Sequence, residues 1–294
     1  MIIQRLQHEI DGFTGIVVNY NTPDLTARAV DSLFNYGASQ VIVVDNGEQK
    51  YQDNTHQSVQ LIDAGRNLGF GQAVNLAVQS ATQKVLVFLN SDATLQPGAF
   101  DAITSVAAGH AALVGGAETS PSRLEPFCPA RPDYTWVGEC LRAILGDRLA
   151  ERIAKFPAIS HGPTVNGAFM VTQRHLFDII GGFNSRYFMY LEDTELSHRY
   201  LAAGLPVQNC PNVCIEHAGQ ASSSSSTKLQ LESESLAIYY NERFGLSRAK
   251  ILVLLRRAMA WLKYTIRRTP KTRYHLEMIG HTWQHLNQLL PPSP

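Results

Sequence analysis

The feature that most constrains the fold is a set of short runs that are apolar throughout and turn polar only at their last residues. Ile16-Val17-Val18 leads into Asn19-Tyr20-Asn21, Val41-Ile42-Val43-Val44 into Asp45-Asn46-Gly47, and Val85-Leu86-Val87-Phe88-Leu89 into Asn90-Ser91-Asp92. A strand with apolar side chains on both faces needs cover on both faces. A parallel sheet between layers of helices provides it. The pattern predicts strands over residues 15–19, 40–45, 59–62, 84–89, 111–114 and 164–171, with one or two more over 207–215. Helical stretches fall between them, over 23–36, 69–80, 97–108, 173–180 and 193–203. In such α/β sheets ligands bind at the carboxyl ends of the strands, so the polar tails carry more functional information than the apolar interiors. Residues 116–162 are less regular, rich in Pro, Gly, Arg and aromatics, and read as an insertion or an acceptor-facing segment. Five consecutive serines at 222–226 read as a mobile loop, and everything after Thr227 reads as helical.

Composition excludes several classes. Lys plus Arg (25) balance Asp plus Glu (25), so no global charge draws the chain to nucleic acid. The four cysteines (128, 140, 210 and 214) contain no CxxC pair. Cys210 and Cys214 lack a second ligand pair for a metal site, and nothing demands a disulfide. The first thirteen residues include Gln, His, Glu and Asp where a leader needs an apolar run. The purely aliphatic or aromatic runs at 85–89 and 251–255 are far short of the ~20 residues of a membrane span. The expected location is the cytoplasm, with a peripheral place on the inner face of the cell membrane as an extension of that reading.

The strand ends carry the chemistry. In a parallel sheet Asp45 and Asp92 come to one edge, where two carboxylates suit hydrogen bonding to a nucleotide and coordination of a hard divalent cation. A dinucleotide site would need G-x-G-x-x-G after the first strand, and Asn19-Tyr20-Asn21-Thr22-Pro23 has no glycine. A second cluster, Glu192, Asp193 and Glu195, stands where the aromatic run 188–190 meets a helix start. Acids favour the first helical turn, which accounts for one or two of the three. His217 follows the last apolar strand and gains meaning only beside a metal.

Taken together, these residues resemble a known family. Val-Val-Asn-Tyr-Asn (17–21), Val-Asp-Asn-Gly (44–47), Arg-Asn-Leu-Gly-Phe-Gly (66–71), Leu-Asn-Ser-Asp (89–92), Asn-Gly-Ala-Phe-Met (166–170), Gly-Gly-Phe (181–183), Phe-Met-Tyr-Leu-Glu-Asp-Thr-Glu-Leu (188–196) and His217 occur in one order. The order and spacing are similar to the inverting family 2 glycosyltransferases, especially the bacterial rhamnosyltransferase-like enzymes of cell-surface polysaccharides such as O-antigen. The resemblance spans roughly residues 13–245. It implies the GT-A fold, an α/β architecture with a Rossmann-like, mostly parallel sheet flanked by helices. That would make residues 1–246 a catalytic domain and 247–294 a basic amphipathic helical extension. It assigns Asp193 as catalytic base with Glu192 beside it, and Asp92 and His217 as ligands of Mg2+ or Mn2+. It places Asn19, Asn21, Asp45, Asn67, Gly69, Phe70, Asn75, Asn90, Asp92 and Gly167 at the nucleotide-sugar. Asn90 stands where the strict Asp-x-Asp pattern has its first aspartate, and Ala73 where many members have glycine.

The activity so implied is metal-dependent transfer of a sugar, rhamnose from dTDP-rhamnose by resemblance, to a saccharide or lipid-linked acceptor. Two other classes stand beside it. A nucleotide-sugar-binding protein without transferase activity would have no use for Asp193 as a base. A nucleotidyltransferase would need a glycine-rich, basic phosphate loop after strand one, which is missing. Residues 247–275 carry nine Lys or Arg and no Asp or Glu, interleaved with Leu, Ile, Met and Trp. This stretch either packs on the domain with a solvated basic face or docks on an anionic membrane surface. Lipid-linked acceptors, usual for the resembled subgroup, favour docking.

Overall fold

The computed structural model describes residues 12–52, 59–129, 131–219 and 225–289. Expectations for the first eleven residues and for serines 222–224 fall outside them. The strands are β1 (Phe13–Asn19), β2 (Ala38–Asp45), β3 (Val59–Asp63), β4 (Val85–Asn90), β5 (Ala93–Leu95), β6 (Leu113–Ser120), β7 (Arg123–Phe127), β8 (Pro132–Tyr134), β9 (Ser160–Pro163), β10 (Phe169–Gln173) and β11 (Val207–His217). The helices are α1 (Pro23–Asn35), α2 (Phe70–Val78), α3 (Gly98–Ala107), α4 (Trp136–Leu145), α5 (Asp147–Ile153), α6 (Arg174–Ile180), α7 (Glu192–Ala202), α8 (Ser225–Phe244), α9 (Leu246–Arg267) and α10 (Pro270–Gln288).

Strands β3-β2-β1-β4-β10-β6-β11-β5 form one sheet in that order, with β7 paired to β6. The first four are parallel. β10 runs antiparallel to β4 and β6, and β11 antiparallel to β5, so the sheet is mixed. All seven residues of β1 are buried, as a doubly covered strand requires. Alternate residues feed two cores. Val17, Val41, Val43, Val87 and Leu89 pack with Val30 and Leu33 of α1 and Ile103 of α3. Ile16, Val18, Ile42, Val44, Leu86 and Phe88 pack with Val74 and Ala77 of α2, Phe177 of α6 and Leu196 of α7. This is the period of two that side chains follow along a strand.

The chain forms two compact units. The first comprises residues 1–131, 163–185 and 192–222 and contains the large sheet. The second comprises 132–162, 186–191 and 223–294. It is therefore larger than an extension beginning at 247, because residues 132–162 and helix α8 belong to it. Its core is built from Tyr187, Leu236, Ala237, Tyr240, Leu252, Val253, Ile279 and Leu286.

Residues 116–162 are more regular than the sequence reading has them: they hold most of β6, then β7, β8, α4, α5 and the start of β9. Thr135 caps α4 by accepting a hydrogen bond from Gly138 N–H at 3.1 Å. Its apolar residues Trp136, Val137, Cys140, Leu141, Ile144 and Leu145 recur at helical spacing, a signal the sequence reading missed, but the residues it buries are Gly138 and Glu139. Buried Glu139 takes a 2.7 Å ion pair from Arg142 and a hydrogen bond from the Tyr240 hydroxyl at 3.1 Å. Val137, Ile144 and Leu145 meanwhile face water.

Candidate active site

Every residue assigned to the site by sequence lies in the first unit. The parallel register sets Asn19 beside Asp45 and Val18 beside Asn90, so three polar strand ends share one edge, as the sequence implies. Buried Asn19 has both amide atoms engaged. Its Nδ2 donates to Asp45 Oδ1 at 2.7 Å and to the Gln49 carbonyl, and its Oδ1 accepts from Thr22 N–H and the Thr26 hydroxyl. Asp45 Oδ1 also accepts from Tyr51 N–H at 2.9 Å, which fixes that carboxylate at the strand end. Asn21, at φ 57°, uses its Oδ1 to hold the Glu48 and Gln49 N–H groups. A Cβ on Gly47 would meet that oxygen at 2.6 Å, so the glycine of Asp-Asn-Gly permits this approach.

Asn46 is a site residue that sequence reading passed over. Buried beside Asp45, it donates to Asn67 Oδ1 and the Gly69 carbonyl and accepts from Leu68 N–H at 2.7 Å. Asn67 Oδ1 in turn accepts from Gly69 N–H at 2.9 Å. The loop that opens α2 is thus tied to the end of β2. Its signal is the triplet Asp45-Asn46-Gly47 itself, where a second polar side chain stands beside Asp45 at the strand end. Asn75 clamps the backbone of Phe183 from both sides, donating to its carbonyl at 2.8 Å and accepting from its N–H at 2.9 Å. Gly182, at φ 68°, leaves room for this, since a Cβ there would meet Asn75 Oδ1 at 2.6 Å. Phe70 stands edge-on to Phe183 with ring centroids 5.8 Å apart.

Asn90 N–H donates to the Ala168 carbonyl, and the neighbouring Gly167 N–H donates to Asp193 Oδ2 at 2.8 Å. The Asp193 carboxylate is thereby brought beside the end of β4. Its Oδ1 accepts from Thr194 N–H at 2.6 Å and from the Thr194 hydroxyl. Glu195 has a different task. Its two oxygens take a bidentate pair from Arg199 (2.7 and 2.8 Å), whose guanidinium also donates to the Ile180 and Gly182 carbonyls. Of the three acids in the cluster, one braces the glycine turn and two remain at the site.

Those two are electrostatically unlike. Burial, and then the charge of Asp193, push the Glu192 carboxyl up to about 8. Among the described residues its Oε2 meets no hydrogen-bond partner. Burial also raises Asp193, but hydrogen bonds from Gly167 and Thr194 oppose this by favouring its ionised form. Burial thus favours Glu192 as the neutral member of the pair, while the hydrogen bonds from Gly167 and Thr194 favour Asp193 as the charged one. Because folding raises Glu192 from its ordinary 4.5, the stability from its neutral form is complete below about 4.5 and is lost as pH rises towards about 8. Glu192→Gln keeps the side chain neutral at every pH. Its thermal midpoint is expected to gain on the wild type from about pH 5 to about pH 8 and level off above. A difference that is flat across that range would contradict this protonation.

On the far side of the sheet edge, β11 pairs with β5 so that His217 lies opposite Ala93, and Ala218 N–H donates to the Asp92 carbonyl at 2.9 Å. His217 Nε2 lies 3.0 Å from Asp92 Oδ1, and Nδ1 lies 3.3 Å from Glu118 Oε2. Burial lowers the basicity of the ring, but the hydrogen bonds and charges of Asp92 and Glu118 outweigh it and push the imidazole up to about 9. Among the described residues no group of three or more His, Cys, Asp and Glu forms a metal cage. Asp92 and His217 nevertheless fit a Mg2+ or Mn2+ ion. They supply hard oxygen and imidazole nitrogen donors facing each other at a ligand-to-ligand spacing. An ion held by only two side chains has room for water and substrate phosphates, the usual habit of Mg2+.

A family model described as Glycosyltransferase like family 2 matches residues 11–241. The chain is 26% identical over 205 residues to the N-acetylglucosaminyl-diphospho-decaprenol L-rhamnosyltransferase of Mycobacterium tuberculosis, in two strains. The match covers 60% of this chain and 66% of that relative, just under two thirds of its length. Among solved structures, the mannosyltransferase PcManGT from Pyrobaculum calidifontis in complex with GDP-Man and Mn2+ superposes with a TM-score of 0.60 at 15% identity. That superposition covers 98% of this chain and 94% of the other. S. aureus TarS 1–349 in complex with UDP-GlcNAc gives 0.52 at 13% identity, covering 95% and 84%. At these identities the likeness to the solved structures is one of fold.

Proposed function

The chain belongs to the family 2 glycosyltransferases, and we propose that it transfers a sugar with inversion from a nucleotide-diphosphate donor to a saccharide or lipid-linked acceptor of a cell-surface polysaccharide. Its fold is the GT-A fold of its structural neighbours. Rhamnose from dTDP-rhamnose is the donor we favour, because the curated relative is named for rhamnosyl transfer to a lipid diphosphate. The observation that carries the reading is the Asp193 carboxylate, held by Gly167 N–H beside the strand end that presents Asn90 and Asp92. A binding protein has no use for such a base.

In the proposed reaction Asp193 accepts the proton of the acceptor hydroxyl as its oxygen bonds to the anomeric carbon. The bond from that carbon to the diphosphate breaks on the opposite face, and a single displacement inverts the configuration. Glu192, kept neutral by its buried setting, adds no second charge beside the base. Asp45 is held at the sheet edge to meet the nucleoside. Bound between Asp92 and His217, Mg2+ or Mn2+ would act as a Lewis acid on the departing diphosphate. A panel of nucleotide sugars, scored for donor hydrolysis and transfer, tests the reading. Turnover is expected with dTDP-rhamnose, and the absence of turnover with every donor would reject it.

The second unit suits a lipid-borne acceptor. Helix α9 buries Ala249, Leu252, Val253 and Ala260, yet it also leaves Ile251, Leu254, Trp261, Leu262 and Ile266 exposed. Spaced by three, seven, one and four residues, they fall on one side of the helix as a second apolar stripe, facing water, with Arg257, Lys263, Arg267 and Arg268 exposed beside it. Apolar side chains set among basic ones suit the surface of an anionic membrane, each cation near it adding ~1 kcal/mol. No described helix is long and apolar enough to cross a membrane. Co-sedimentation is expected with phosphatidylglycerol vesicles, weakening as salt rises, and much less with phosphatidylcholine vesicles. Failure to bind either would reject the membrane surface.

A further inference from the structure

Glu118 is a buried carboxylate that no strand-end motif accounts for, and it lies against the imidazole of His217. It stands on β6, directly opposite Ile215 in the parallel pairing with β11. That pairing is irregular between Cys210 and Val213 and again between Val213 and Ile215. Beyond the second shift, Glu118 Oε2 stands 3.3 Å from His217 Nδ1 while Asp92 Oδ1 stands 3.0 Å from Nε2. The ring is thus held between two carboxylates from different strands.

A neutral imidazole has one N–H donor and one lone pair, whereas a carboxylate only accepts. With Glu118 facing Nδ1, the ring proton belongs on Nδ1, and the Nε2 lone pair then points at Asp92 Oδ1, another acceptor. A protonated ring can donate to both carboxylates, but a ring that binds a cation through Nε2 must be neutral, and its one N–H then stands at Nδ1, facing Glu118. We propose that Glu118 is a positioning residue that holds His217 in the Nδ1–H tautomer and aims Nε2 and Asp92 Oδ1 together at a divalent cation. This rests on the reading of Asp92 and His217 as the metal pair. It adds to them an outer carboxylate of the kind that orients metal-bound histidines, whose loss typically weakens metal affinity on the order of 10–100-fold.

The test is Mn2+ affinity, read from the electron paramagnetic resonance signal of free Mn2+ titrated with the purified full chain. Wild type is compared with Glu118→Gln, Glu118→Ala and His217→Ala, each first checked for folding by circular dichroism. Glu118→Gln is near in shape and keeps an acceptor for Nδ1–H, so it guards against a variant that simply unfolds. The expected order of affinity is wild type, then Glu118→Gln, then Glu118→Ala, the last weaker on the order of 10–100-fold. A merely structural role for Glu118 would change the melting temperature without producing that order. Wild-type affinity in folded Glu118→Ala, with His217→Ala still weakened, would overturn the inference and leave the metal pair standing. Equal binding by wild type and His217→Ala would overturn the metal pair, and the role of Glu118 with it.

Discussion

Asp193→Asn is expected to lose sugar transfer on the order of 10²–10⁴-fold while retaining donor affinity, the signature of a removed general base. The two oxygens of Asp193 accept from Gly167 N–H on one side and from Thr194 on the other. An asparagine can satisfy only one side with its oxygen. Its amide then faces a backbone N–H, at a cost of about 1–3 kcal/mol for the unsatisfied group. Donor binding by calorimetry and turnover must therefore be measured on the same folded preparation. Glu192→Gln serves as the contrast, because Glu192 is already neutral near pH 7 and its amide leaves the Asp193 base in place. Wild-type turnover by Asp193→Asn would remove Asp193 from the chemistry.

The second large effect is expected at Asp92. Asn90 occupies the place of the first acid in the motif, so Asp92 is the one carboxylate that Asn-Ser-Asp offers to a cation. EDTA is expected to abolish transfer and added Mn2+ or Mg2+ to restore it. Asp92→Ala is expected to lose on the order of 10²-fold or more, in the range seen when a single electrostatic stabiliser is removed from an active site. His217→Ala, which leaves the carboxylate in place, is expected to need more metal to reach a lower maximum. Full activity in EDTA would refute the metal role for both residues.

Much of the large sheet is legible in the sequence because its information is local. A run such as Val85–Asn90, apolar on both faces and polar at its end, specifies a doubly covered strand without reference to the rest of the chain. Parallel pairing then puts Asn19, Asp45 and Asn90 on one edge by geometry alone. The acids at 192, 193 and 195 are equally visible as a cluster. Their division, with Asp193 held by Gly167, Glu192 buried beside it and Glu195 paired with the Arg199 that holds Ile180 and Gly182, is not, because it depends on which backbone groups arrive from just before β10 and from the end of α6.

Other features are settled only by packing. The facing amides of Asn75 and Phe183 are 108 residues apart, and Asp92 and His217 are 125 apart. Nothing in either local sequence names its partner. Helix α4 buries Glu139 against Arg142 and Tyr240 and leaves Val137, Ile144 and Leu145 exposed, so its apolar period marks a helix without marking what it buries. The chain changes unit just before Asp193: residues 186–191 belong to the second unit, with Tyr187 in its core, while Glu192 and Asp193 belong to the first. Periodicity encodes which face of an element is buried and where a strand ends. Which carboxylate meets which imidazole depends on strand register and two irregularities in β11, and those arise only when β5, β6 and β11 are packed together.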